Sequence, residues 1–244
     1  MSMKKIFNYS PNFDPGKRKI NQIKYLIFHY TGMQNEKVAI NRLTDLRSKV
    51  SSHYMIKNNG DIIIMVPDLY ISWHAGKSRW KNLNSLNKYS IGIEISNPGH
   101  RLNYKKFSNA QIKSILKLCK FLIKKYKIKP QNILGHSDIA PDRKIDPGEK
   151  FPWQFLAKKK VGLWHTMSKK KLENYRNKKI GLNDKKKFYK NLFNIGYLNK
   201  KMNSNKLINF VIKAFQRRFR QELINGKLDK ECLIISENIV KKFY

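Results

Sequence analysis

His29 closes an apolar run, Ile23 to His29, whose isoleucine, tyrosine and phenylalanine content reads as a buried strand. His136 closes a second short run, Ile133 to Gly135, within Gly135-His136-Ser137-Asp138. Asp146 follows inside Asp142-Arg143-Lys144-Ile145-Asp146-Pro147-Gly148. Taken singly, each histidine reads as a hydrogen-bonded structural residue. Strand ends on one edge of a sheet converge, however, so the two histidines and the carboxylate could meet at one point. Two imidazoles and a carboxylate with a fourth position open are the ligand set of a catalytic zinc site. A metal held this way acidifies water and polarises a carbonyl oxygen. The acidic residues add a second hint. None occurs between Glu94 and Asp138, and then Asp138, Asp142, Asp146 and Glu149 arrive close together. In a chain with 16 acidic residues against 52 basic ones, that cluster reads as a site rather than a solvated face.

The elements that must position these residues are visible as patterns. Glu36 to Lys49 has helical spacing, with Val38, Leu43 and Leu46 on one side. Ser52 to Ile56 and Ile62 to Val66 flank Asn58-Asn59-Gly60-Asp61 and read as a hairpin. Ser90 to Ile95 is a further strand. Ser108 is placed to cap a helix running to about Tyr126, whose stripe Ile112, Ile115, Leu116, Cys119, Leu122, Ile123 and Tyr126 lies opposite lysines. The intermixing of strands and helices predicts an α/β fold, a mixed central sheet flanked by helices. From about Ser168 to Lys187 the chain turns polar and lysine-rich, as a linker or a hinge would. Three helices follow: Asp184 to Ile195, closed by Gly196; Ser204 to Arg220, with Ser204 as N-cap; and Asp229 to Val240, capped by Asp229. The expected division is a catalytic domain over 1–167 and a small three-helix domain over 182–244.

Composition bounds the rest. At 244 residues and 41% hydrophobic, the chain can bury a core, and its net charge is +36. Abundant Lys, Asn and Ile are what an AT-rich genome produces, so the charge is a weak functional clue. A surface this basic is attracted to polyanions, whether nucleic acid, anionic membrane or acidic wall polymer. Arg-rich recognition segments and RNA-binding aromatic signatures are missing, so no specific nucleic-acid partner is expected. Cys119 and Cys232, far apart among apolar residues, read as buried thiols. Met1 to Asn12 shows no secretory pattern, and no run of 18 apolar residues exists. The default expectation is a cytoplasmic monomer without a transmembrane helix, an unconventional route to the periplasm or medium remaining open.

Read together, Phe28-His29-Tyr30-Thr31, Ser52-His53-Tyr54, Ser72-Trp73-His74-Ala75-Gly76, Ser90-Ile91-Gly92-Ile93-Glu94-Ile95 and Gly135-His136-Ser137-Asp138-Ile139-Ala140-Pro141 resemble the zinc-dependent N-acetylmuramoyl-L-alanine amidases. This is the type-2 amidase family, which shares its fold with phage T7 lysozyme and the peptidoglycan recognition proteins. The likeness spans roughly residues 23–155. It implies a zinc ion held by His29, His136 and Asp146, with Glu94 as the catalytic acid–base and Lys144 facing the oxyanion of the tetrahedral intermediate. The bond cut would join the lactyl group of N-acetylmuramic acid to L-alanine, in peptidoglycan or in muropeptides with or without a 1,6-anhydro end. His74 falls in a motif near the cleft and is a candidate substrate contact, against the alternative of a structural histidine packed beside Trp73. Trp73 and Tyr30 are further substrate candidates. His53 reads as structural, and His100 and His165 as surface residues.

The C-terminal helices resemble the small peptidoglycan-binding domain appended to wall hydrolases. The carrying segments are Gly196-Tyr197, Ala214-Phe215-Gln216-Arg217-Arg218-Phe219-Arg220 and Asn225-Gly226-Lys227-Leu228-Asp229. Such a module raises the effective concentration of an enzyme at its polymer. Two rival readings are weighed against the amidase. A muropeptide-binding protein that does not cut needs neither Glu94 nor a complete metal triad, and a basic nucleic-acid-binding protein leaves the His/His/Asp/Glu set unexplained.

Overall fold

The computed structural model describes residues 4–198 and 205–244. Among these, the strands are β1 (Lys5–Phe7), β2 (Phe13–Asp14), β3 (Tyr25–Tyr30), β4 (Tyr54–Ile56), β5 (Ile62–Ile64), β6 (Ile71–Ser72), β7 (Arg79–Trp80), β8 (Leu83–Asn84), β9 (Ser90–Ile95) and β10 (Ile133–Gly135). The helices are α1 (Glu36–Thr44), α2 (Asn109–Tyr126), α3 (His136–Ile139), α4 (Trp153–Lys158), α5 (Lys169–Tyr175), α6 (Leu182–Ile195), α7 (Asn205–Phe219) and α8 (Lys230–Phe243). None of the described helices is long and apolar enough to cross a membrane.

One mixed sheet of six strands, ordered β1-β5-β4-β9-β3-β10, organises the chain. The pairs β4–β9, β9–β3 and β3–β10 are parallel, so these four strands deliver their C-terminal ends to one edge. The hairpin β4–β5 is antiparallel, as its turn requires. Strands β3 and β9 are covered on both faces, which is why they read as apolar runs rather than as alternating patterns. Side chains of a strand still alternate between faces. Leu26, Phe28, Ile91, Ile93 and Ile95 point to one layer, where Ile115, Leu118, Cys119 and Leu122 of α2 meet them. Tyr25 and Ile27 point to the other, where they share a core with Phe188, Leu192, Phe215 and Ile235 of the C-terminal helices. Ser108 caps α2 in a reciprocal box with Gln111, and Asp229 caps α8 through the Cys232 amide. Both cysteines are buried free thiols.

Several expectations need correction. The helix from Glu36 stops at Thr44 rather than Lys49: Asp45 adopts an extended conformation, and its carboxylate accepts from the Arg47 amide and side chain, starting a separate short turn. The stretch Ser168 to Lys187 is not a plain linker. It holds α5, capped by Ser168 and anchored by buried Leu172, and α6 begins at Leu182 rather than Asp184. β1 extends the sheet at its far edge, pairing with β5 in parallel. His165 is buried rather than on the surface. Ser204, the expected cap of α7, lies outside the described residues.

The C-terminal helices are joined to the catalytic sheet by polar bonds as well as by apolar packing. Asp138, two residues beyond His136, accepts from Arg218 of α7 and from the Tyr197 hydroxyl. Arg218 also donates to the Ile133 carbonyl of β10 and lies over the Trp153 ring.

Candidate metal centre and active site

The register of β3 and β9 sets His29 directly opposite Glu94. His29 lies on the sheet face that carries Tyr25 and Ile27, and Glu94 lies on the same face of β9 as Ser90 and Gly92. β10 ends at Gly135, and the chain turns at once into α3, which projects His136 beside His29. The loop after α3 returns Asp146 to the same point, where its carbonyl also accepts from the Ser137 amide. The three residues expected as ligands therefore come together, and all are buried.

His29 Nδ1 and His136 Nδ1 are 2.9 Å apart, and each is 3.1 Å from Asp146 Oδ2. Each ring turns Nδ1 to this point and commits Nε2 elsewhere. His136 Nε2 meets the Ala75 carbonyl at 3.2 Å and therefore carries a hydrogen. His29 Nε2 lies 3.0 Å from His74 Nδ1. Burial, and then the neighbouring charge of His136, lower the pKa of His29 to about 4, so it is neutral at pH 7. Burial alone would raise the pKa of Asp146, but His136 and His29 overcome it and hold the carboxyl well below its ordinary range. Three electron-pair donors thus converge, at the spacing of neighbouring corners around an ion with bonds of about 2.0–2.2 Å. Two nitrogens and one oxygen suit a borderline-soft divalent cation. The residues present fit a metal.

The donors open on a cavity of about 420 Å³. Glu94 faces it, with Oε2 shielded from solvent and without a hydrogen-bond partner. Burial, with the charge of Asp146 behind it, pushes its pKa up to about 8, partly offset by Lys144. Lys144 enters the same cavity, and its charge reaches both Glu94 and His29. Trp73 and Tyr30 line the cavity too. The Trp73 indole is anchored on Asp14, and the Tyr30 hydroxyl meets His100 Nδ1 at 3.0 Å. His74 lies deeper, 7% exposed, with one ring nitrogen on His29 and the other on Ser90 Oγ. His53 is buried against Ser72, Tyr70 and the Gly92 amide.

Some residues of the site escaped the sequence reading. His100, expected on the surface, is exposed there and stands on the cavity rim, bonded to Tyr30 and to Glu149. Its signal was the turn before it: Gly99 has φ +73°, and a Cβ there would approach the Tyr30 ring to 2.6 Å. Arg143 donates to the carbonyls of Ala75 and Lys77 and so ties the loop carrying Asp146 to the loop carrying His74.

The Glu94 environment makes a prediction about stability. Its folded pKa lies above the ordinary one, so folding favours the protonated acid. That contribution is complete below the ordinary carboxylate range and is lost as pH rises through about 8. In metal-free protein, Glu94→Gln should therefore gain stability over its parent progressively from pH 5 to pH 8, then level off. Denaturant unfolding at several pH values measures this, and a gap independent of pH would mean that the Glu94 carboxyl is hydrated.

Two histidines, a carboxylate and a shielded glutamate around one cavity suggest a metal site of the kind a hydrolase uses. Residues 19–149 match the family model described as N-acetylmuramoyl-L-alanine amidase. The chain belongs to that family and is an N-acetylmuramoyl-L-alanine amidase. It is 36% identical over 234 residues to the N-acetylmuramoyl-L-alanine amidase AmiD of Escherichia coli (strain K12), covering 91% of this chain and 84% of that protein. It is 34% identical over 164 residues to the 1,6-anhydro-N-acetylmuramyl-L-alanine amidase AmpD of Haemophilus influenzae, covering 59% of this chain and 86% of the relative. Among solved structures, the E. coli AmiD complex with anhydro-N-acetylmuramic acid-L-Ala-D-gamma-Glu-L-Lys superposes with a TM-score of 0.80 at 34% identity, covering 94% of this chain and 93% of the other. AmpDh3 from Pseudomonas aeruginosa, in complex with anhydromuramic pentapeptide, gives 0.78 at 28% identity, covering 94% of each chain.

Proposed function

We propose that this amidase is zinc-dependent and releases stem peptides from N-acetylmuramic acid, accepting muropeptides with a 1,6-anhydro end. The observation that carries the metal reading is the convergence of His29 Nδ1, His136 Nδ1 and Asp146 Oδ2 beside Glu94, whose Oε2 has no hydrogen-bond partner among the described residues. These three atoms would hold the zinc. When bound, zinc supplies a Lewis acid that acidifies water and polarises the scissile carbonyl.

The residues of the chain supply the remaining chemistry. Glu94, opposite His29 on the neighbouring strand, takes a proton from the attacking water and hands it to the departing amine of L-alanine. The Lys144 ammonium faces the oxygen on which negative charge develops. Trp73 and Tyr30 form walls of a cavity whose volume lies within the roughly 300–1,000 Å³ of small-molecule sites. Acceptance of a 1,6-anhydro end draws its support from AmiD and AmpDh3, whose solved complexes hold anhydromuramic peptides.

The C-terminal helices are proposed to hold wall polymer and raise the local concentration of substrate. The resemblance of their segments to the peptidoglycan-binding domain supports this reading. Ala214, Phe215 and Phe219 are buried, and Gln216 binds the Gly226 amide and the Lys227 carbonyl. Those motif residues build the module, so contact with polymer falls to its outer face.

The test pairs two muramyl-tripeptides, one with a 1,6-anhydro end and one without, and follows free peptide by mass spectrometry with and without chelator. Chelator-sensitive release from the anhydro substrate, restored by zinc, is the expected result, and the ratio of the two rates reports the preference. No release from either substrate by folded, zinc-loaded protein would refute the proposal.

A further inference from the structure

The geometry points to His74 and Ser90 as positioning residues that keep the hydrogen of His29 on Nε2 and so leave Nδ1 free to bind metal. The inference rests on the metal reading of the triad, and it concerns how one ligand is prepared.

The direction of the hydrogen bonds follows from a group that can only accept. The Leu86 carbonyl lies 2.6 Å from Ser90 Oγ, so the single hydroxyl hydrogen of Ser90 points there. Ser90 Oγ then offers only lone pairs to His74 Nε2, 3.0 Å away, and that nitrogen must be the donor. A neutral imidazole carries one hydrogen, so His74 Nδ1 is bare. It lies 3.0 Å from His29 Nε2, which must donate in turn. The hydrogen that His29 donates is thereby placed on Nε2, the side away from Asp146 and His136. Among the described residues, the polar partners of the His74 ring are an imidazole and a hydroxyl.

The ring is built into a socket. Ser90, Gly92 and Glu94 occupy one face of β9, and a Cβ at Gly92 would lie 2.4 Å from His74 Cγ. Only glycine leaves a bay in which the imidazole lies flat against the strand. Asn87 Oδ1 accepts from the His74 and Ala75 amides at 3.2 and 2.7 Å, which holds the backbone. Ser-x-Gly-x-Glu along β9 therefore has three roles in sequence: it orients the relay, makes room for it, and supplies the carboxylate at the cavity. His136 Nε2 is held by a different partner, the Ala75 carbonyl.

The experiment uses the full chain labelled with nitrogen-15 at histidine and loaded with zinc. Long-range nitrogen–proton correlation should show the His29 hydrogen on Nε2, with a through-hydrogen-bond coupling to His74 Nδ1. Zinc affinity is measured in parallel by chelator competition. His74→Leu should weaken binding by roughly 10–100-fold, as for other groups that orient a metal ligand. His74→Gln, whose amide oxygen can accept the same hydrogen, should recover most of that loss. Ser90→Ala, which deletes only a hydroxyl, should weaken binding in the same direction and keeps the test decisive if His74→Leu does not fold. Wild-type affinity in folded His74→Leu or in Ser90→Ala would overturn the inference, as would a hydrogen on His29 Nδ1. Wild-type protein that takes up no zinc would overturn the metal reading itself, and the inference with it.

Discussion

Asp146→Ala is expected to lose metal and turnover together. Asp146 Oδ2 is the anionic corner of the three donors, 3.1 Å from each imidazole nitrogen, and only 6% of the residue is exposed. Without it, two imidazoles face each other with no carboxylate to balance a dication. Removing a group that merely orients a ligand costs about 10–100-fold in metal affinity, and removing a ligand should cost more. The same substitution removes a charge that raises the pKa of Glu94. Glu94 would then ionise more readily, so lost activity could not be blamed on a protonated base. Elemental analysis beside a turnover assay decides the matter, and full activity in a metal-free variant would sink the assignment. His29→Ala should behave alike.

Glu94→Ala should separate chemistry from metal binding. Glu94 stands across from His29 in the β3–β9 ladder, but it is not among the three converging donors. The variant should retain zinc at the wild-type ratio. Its kcat should fall by the roughly 10²–10⁴-fold that general acid–base catalysis supplies. Wild-type rates would remove Glu94 from the mechanism, whereas loss of zinc would mean that its carboxylate helps to hold the ion.

Much of this was legible in the chain itself, for a physical reason. Strands buried on both faces leave continuous apolar runs, so the run ending at His29 and the span Ser90 to Ile95 could be read directly. Local capping chemistry marked the starts of α2 and α8. β1 escaped because Lys5–Phe7 is a short edge strand exposed at both ends, which leaves little pattern. α5 escaped because four of its first five residues are charged, and they hide the period around Leu172. At the site, residue types announced His29, His136 and Asp146. The partners of those residues were not announced. That His74 commits both ring nitrogens, that a carbonyl at Ala75 holds His136, and that Arg218 reaches Asp138 are facts of tertiary approach with no local signature.

The pairing of His29 with Glu94 across two parallel strands also bears on where the chain can change length. Side chains on a strand alternate, so one residue inserted or deleted within either strand turns its functional group to the opposite face. Such a change would bury the histidine or the carboxylate among the α2 contacts and leave its neighbour alone at the cavity. The two strands can vary in composition but not in length. Insertions and deletions are confined to the segments beyond their ends, including the turn at Pro98-Gly99-His100 that forms the rim. Length variation there can reshape what the cavity admits while the reacting groups stay in register.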